Sequence, residues 1–248
     1  MPDNEQPRLR GNARRRNGPY NLGEIPDSVV IGIARGLAHR MAVGQADITG
    51  DDFARIFAKA ISGQHRDSPL GIADVEFENC AWTIKTVKGE NPLSQNSLRA
   101  ISGRNSPLYS HGIENPKTDI QATGRAVLEI WNSRVDESAS QFEELRIFAM
   151  IRNMSARHFC LMEFEAVRYV ASEYKWALNK RGNLEGFHKS TQEHAFTWQP
   201  HGSQFTVMHH VPASAYRFKI TQQPVTLEEH QVIHLSRFQD SWVQKVEN

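Results

Sequence analysis

Residues 69–88, PLGIADVEFENCAWTIKTVK, constrain this chain more than any other stretch. Glu76 and Glu78 alternate with Val75 and Phe77, the period of a half-buried strand. Asn79-Cys80 offers a turn, and residues 81–87 resume apolar, β-branched and aromatic side chains. The segment therefore reads as a β-hairpin folded about Asn79-Cys80. In that register Phe77 opposes Trp82, Glu76 opposes Thr83, Val75 opposes Ile84 and Asp74 opposes Lys85. Alternation then puts Asp74, Glu76, Thr83 and Lys85 on one face and Val75, Phe77, Trp82 and Ile84 on the other. One face is apolar enough to cover a core; the other converges two carboxylates and a lysine.

Carboxylates beside a lysine are what metal-assisted phosphodiester hydrolysis needs. That reaction builds negative charge on the phosphoryl and leaving oxygens, which a divalent cation and a lysine stabilise. Without a metal, the same residues make an ordinary amphipathic hairpin with a surface ion pair between Asp74 and Lys85. The segment resembles the PD-(D/E)xK nucleases, and among them the type II restriction endonucleases, whose signature is an Asp at the start of one strand and an acid-x-Lys triplet on the next. Asp74 matches the first position and Lys85 the lysine, with residues 82–86 (WTIKT) as the second strand. The triplet here is Thr83-Ile84-Lys85, so the acid is displaced. Glu76 is the first candidate to replace it, followed by Asp52 and Glu78. The resemblance covers about 20 residues and implies Mg²⁺ held by Asp74, Glu76 and the Ile84 backbone carbonyl, with Lys85 orienting or activating the attacking water.

The flanking sequence is compatible with such a core. Phe53, Ile56, Phe57, Ala60 and Ile61 follow helical spacing after Thr49-Gly50-Asp51-Asp52, and Gly63 follows them. A helix, a loop and an Asp-bearing strand is the order in which the nuclease core begins. Asp51 and Asp52 are also suited to the positive end of that helix dipole. Arg8, Arg10, Arg14, Arg15 and Arg16 crowd the first 16 residues among Gly, Asn and Pro, a basic arm suited to phosphates.

At 248 residues the chain can form one large domain. Its 39% hydrophobic and 23% charged residues fit a soluble globular protein, and no apolar run reaches membrane-spanning length. The start, MPDNEQPRLR, lacks the apolar stretch of a secretory signal. Cys80 and Cys160 have no zinc-ligand spacing and read as small core residues, so a reduced, cytoplasmic setting is expected. No phosphate-binding glycine loop is present, and no nucleotide cofactor is expected.

Residues 27–41 and 119–138 read as helices, the second with Val127, Leu128, Trp131 and Val135 on one face. Residues 90–116 read as a long excursion holding a short helix at 94–101. Residues 144–153 and 158–167 read as strands completing a mixed sheet, with Glu163 and Glu165 as solvent-facing or structural acids. Residues 174–220 interleave basic and amide side chains with aromatics. Asn179, Lys180, Arg181 and Asn183 form a cationic turn, and residues 200–204 form another that ends in Gln204. Such side chains can read base edges. His188, His194, His201, His209 and His210 lack the spacing of a zinc site.

The expectation is an α/β chain: a restriction-endonuclease-like mixed β-sheet core flanked by helices, with a β-rich C-terminal elaboration. Residues 1–20 form the arm and 21–248 a single nuclease domain, with its core at about 49–170 and DNA-reading strands at about 171–220. The function implied is Mg²⁺-dependent, site-specific cleavage of double-stranded DNA by a homodimer. Arg14, Arg15, Arg16, Asn179, Lys180, Arg181, Asn183 and Gln204 would contact DNA. A repair or junction nuclease on the same core, or a DNA-binding protein without catalysis, are the alternatives.

Overall fold

A computed structural model describes residues 18–67 and 71–246. The arm arginines Arg14, Arg15 and Arg16 lie outside the described residues. In chain order the elements are α1 (Asp27–Ala42), α2 (Gly50–Ile61), β1 (Gln64–His65), β2 (Val75–Phe77), β3 (Cys80–Lys88), β4 (Ser97–Arg104), α3 (Pro107–His111), α4 (Ile120–Ala139), β5 (Glu144–Asn153) and β6 (His158–Glu165). There follow β7 (Tyr174–Leu178), β8 (Leu184–His188), β9 (His194–Gln199), β10 (Gln204–His210), β11 (Tyr216–Lys219) and α5 (Glu229–Ser236). The chain is thus mixed α/β, as expected.

Among the described residues the strands form two sheets. One is mixed, in the order β1-β2-β3-β5-β6-β11. The pair β3–β5 is parallel, from Cys80 opposite Glu144 to Lys88 opposite Arg152; its other pairs are antiparallel. The second sheet is antiparallel, in the order β4-β10-β9-β8-β7. The β-rich C-terminal region is therefore a sheet of its own, and it recruits a strand from the 90–116 excursion. Residues 97–104 form β4, not part of a helix at 94–101. Buried Leu98, Ala100 and Ser102 alternate there with exposed Arg99, Ile101 and Gly103's more open position, the strand period of two. Pairing with β10 decides the conformation, which local propensity alone does not.

Layering follows from which faces are apolar. Helices α1 and α2 cover one face of the mixed sheet through Ile33, Leu37, Phe53 and Phe57, packed on Val75, Trp82, Ile84 and Phe148. Thr49 caps α2 in a capping box with Asp52. Helix α4 lies between the other face and the second sheet. Its Val127, Leu128, Trp131 and Val135 meet Ala81, Leu145 and Ile147 on one side, and Trp176, Phe196 and Phe205 on the other. Asn105 fastens the end of β4 to α4 by donating to the Val127 carbonyl at 2.9 Å, while Trp198 Nε1 donates to the Asn105 carbonyl at 2.8 Å.

A buried ion pair holds the start of the described chain to the mixed sheet. Arg146 Nη1 lies 3.2 Å from Glu163 Oε2, and Tyr20 Oη, Trp82 Nε1 and the Gly23 amide also donate to that carboxylate. Glu163 is structural, in line with the sequence reading, whereas Glu165 is exposed. Cys80 and Cys160 are buried free thiols. No helix of the described residues is long and apolar enough to cross a membrane.

Two tests address this packing. A Cβ at Gly124 would sit 2.3 Å from the Trp176 ring. Gly124→Ala should therefore destabilise the protein by about 1–3 kcal/mol in urea unfolding, although alanine is the better helix former. Burial pushes the His209 imidazole, stacked 4.5 Å from Phe164, down to about 4 from its ordinary 6.5. The unfolded chain takes up that proton first. Stability should be retained above about pH 6.5 and fall towards pH 4, and His209→Phe should flatten that decline in urea midpoints measured against pH.

Candidate functional site

The hairpin forms, but two residues out of the expected register. Its turn is Glu78-Asn79, with Glu78 at φ 50°, and Phe77 opposes Cys80, Glu76 opposes Ala81 and Val75 opposes Trp82. A slip of two preserves the alternation of faces. Val75, Trp82 and Ile84 still face the α1–α2 core, and Thr83 and Lys85 still lie on the opposite face. Asp74, just before β2, meets Thr83 rather than Lys85. Its Oδ2 accepts from the Ile84 amide at 2.7 Å and from Thr83 Oγ1 at 3.1 Å. Its Oδ1 accepts nothing from the described residues.

The slip also removes Glu76 from this group, correcting its assignment as the second carboxylate. Glu76 pairs with Arg66, whose Nε and Nη2 both donate to Glu76 Oε2. It lines a separate cleft with Arg66, Glu78 and Phe142, and Arg66 stacks over the Phe142 ring at 5.4 Å. Asp52 is committed to its helix cap and lies 2.9 Å from Arg40. The Thr49 amide and hydroxyl, followed by Arg40, hold its carboxyl below the usual range. Glu78 is exposed at the turn. Among the described residues, no group of three or more His, Cys, Asp or Glu side chains converges as a metal site.

Lys85 is half-buried and makes no hydrogen bond or ion pair with the described residues. Burial pushes its ammonium below the ordinary lysine range. Asp74 opposes that shift and Arg134 adds to it. Arg134, on α4, was not singled out from the sequence. Its Nε and Nη1 donate to the Gly71 and Ser102 carbonyls, each at 3.3 Å. Burial lowers its pKa too, again opposed by Asp74. The sequence carried one signal for it: Arg134 is three residues after Trp131 and seven after Val127, so a cation interrupts the apolar stripe of α4. Next to it opens a cleft of about 720 Å³ lined by Gly71, Ser110, His111, Ser133 and Arg134, with Glu129 and Glu137.

The donor set can accept a hard cation through few protein ligands. Mg²⁺ is commonly held by one or two carboxylates and keeps several waters. Asp74 Oδ1, which accepts nothing from the described residues, is open to such a cation. The N–H and C=O of a strand residue point to the same edge, so the Ile84 carbonyl shares the edge at which its amide meets Asp74.

The expected DNA contacts separate into two kinds. Asn179 is used inside its turn: Oδ1 accepts from the Arg181 and Asn183 amides at 2.9 and 3.0 Å, and Nδ2 donates to Glu185 at 2.8 Å. This corrects its assignment as a base reader, and half-buried Asn183 is part of the same turn. Lys180 and Arg181 are exposed at the tip. Antiparallel alternation places the β7–β8 and β9–β10 turns at one end of the second sheet, together with Arg104, which opposes Gln204. Lys117 reaches the same tip beside Gly182.

Comparison with family models, with curated proteins and with solved structures returned no match for this chain.

The electrostatic arrangement is testable by itself. Lys85 should titrate below the exposed lysines in NMR spectra of the ¹³C-methylated protein. Asp74→Asn, which removes the charge favouring the ammonium, should lower it further.

Proposed function

We propose that this protein is a Mg²⁺-dependent endonuclease that cleaves double-stranded DNA at specific sites. The observation that carries the reading is the joining of Asp74, the Ile84 backbone and Lys85 at adjacent strands of a mixed sheet with helices on both faces. These are the positions at which the sequence resembles the PD-(D/E)xK nucleases. Asp74 and the Ile84 carbonyl would hold the cation, which when bound lowers the pKa of water and offsets charge on the phosphate. Lys85, whose ammonium is pushed below the ordinary lysine range by burial, can orient the attacking water and offset charge at the phosphate. Lys180, Arg181, Lys117 and Arg104 supply cations for the DNA backbone at the rim of the second sheet.

Cleavage within a palindromic sequence suits a two-fold dimer. Leu235, Trp242, Val243 and Val246 are each more than 60% exposed near the end of the chain, which supports an assembly larger than one chain.

A DNA-binding protein without catalysis is the second reading. Its support is that Thr83 stands at the acid position while Glu76 is bound to Arg66.

Incubation of the purified protein with plasmid and phage-genome DNA in Mg²⁺ separates these readings. A nuclease should give discrete bands that vanish with EDTA. Asp74→Ala and Lys85→Ala should each slow cleavage by about 10²–10⁴-fold, whereas Glu76→Ala should stay within about three-fold of the unaltered protein because its carboxylate is occupied elsewhere. DNA bound equally by all four proteins without cleavage would favour the binding protein.

A further inference from the structure

We propose that Arg134 is the phosphate-binding residue of this site, its guanidinium taking a non-bridging oxygen of the DNA phosphodiester beside Asp74 and Lys85. The inference rests on the nuclease reading and adds a residue that the resemblance does not supply.

The position is built around the guanidinium. Gly71 and Ser102, on two separate segments, offer their carbonyls to Nε and Nη1. Gly103 has φ 131°, and a Cβ there would stand 1.9 Å from Arg134 Nη1. A side chain at residue 103 would displace the guanidinium from this position, and φ 131° itself favours glycine there. Two of the five N–H donors of the side chain are used in this way. No carboxylate of the described residues lies within ion-pair distance of it.

Charge balance indicates what those remaining donors meet. Lys85 and Arg134 are both half-buried, and neither has an ion-pair partner among the described residues. Half-buried cations in excess of their acids are costly unless an anion joins them. The cleft that Arg134 lines is large enough for a phosphodiester and adds the Ser110 and Ser133 hydroxyls; Asp74 and Lys85 are not part of its lining, so Arg134 is the link between that cleft and the two. Of its two acids, Glu129 lies 3.8 Å from His111, and Glu137 is exposed to solvent, where salt screens it. A guanidinium presents parallel donors that match phosphate oxygens better than an ammonium does. A purely structural Arg134 would instead act as a strut between Gly71 and β4. Its loss would lower stability but leave the ionic component of DNA binding unchanged.

The test measures binding of a fluorescein-labelled short duplex by anisotropy in EDTA, from about 50 to about 200 mM salt, the range over which phosphate contacts separate. Arg134→Gln keeps a donor for one carbonyl without the charge, and Arg134→Lys keeps the charge. Thermal melting of both variants reports any loss of fold. Arg134→Gln should bind about 10-fold more weakly, with the slope of log K against log salt reduced by about one; Arg134→Lys should retain the slope. Variants matching the unaltered protein in affinity and slope, while that protein still cuts plasmid, would overturn the role of Arg134 and leave the nuclease reading standing. Unaltered protein that neither binds the duplex nor cuts plasmid would overturn both.

Discussion

The parallel pairing of β3 with β5 is the constraint on which the rest of the molecule depends. Parallel neighbours cannot be joined by a tight turn, so the chain must cross over the sheet between Lys88 and Glu144. That crossover contains β4, α3 and α4. Once α4 lies on the face that carries Ala81, Leu145 and Ile147, its opposite side is left apolar, and the second sheet buries it through Trp176, Phe196 and Phe205. The same crossover carries Arg134 and the Ser102 carbonyl to the side of the sheet where Lys85 stands. The scaffold and the candidate site thus share one topological cause.

The two charged clusters of the mixed sheet illustrate how burial is compensated. On the α1–α2 side, Arg146 and Glu163 are both buried, but Tyr20, Trp82 and the Gly23 amide complete the carboxylate's hydrogen bonding. Breaking such a pair typically costs about 3–5 kcal/mol because it strands a charge. On the α4 side, among the described residues, Asp74 is only half satisfied, Lys85 has no direct partner, and Arg134 is held by carbonyls at 3.3 Å. The first cluster is closed and fastens the start of the described chain. The second retains capacity for further ligands, and that contrast makes it the candidate site.

Much of this was visible in one dimension. Helical spacing located α1, α2 and α4, and apolar runs located β5 and β6, because these elements are long and periodic. Strand alternation put Thr83 and Lys85 together on the face away from the core. The hairpin turn was displaced by one residue, since Glu78 adopts φ 50°, a conformation that the sequence of a glutamate does not announce. Segment 97–104 was misread because its strand form depends on β10, about 100 residues later.

The sequence by itself determined the periodicities, the capping of α2 by Thr49, the apolar face of the hairpin and the proximity of Asp74 to the lysine-bearing strand. These depend on neighbours a few residues apart, so local sterics and alternation suffice. Tertiary structure alone decided that Glu76 belongs to Arg66, that Asn179 serves its own turn and that Arg134 is held by the Gly71 and Ser102 carbonyls. Each depends on side chains or backbone groups brought together by folding and on competition for a carboxylate or a donor. The outcome of that competition is set by distance in space, which spacing along a chain does not encode.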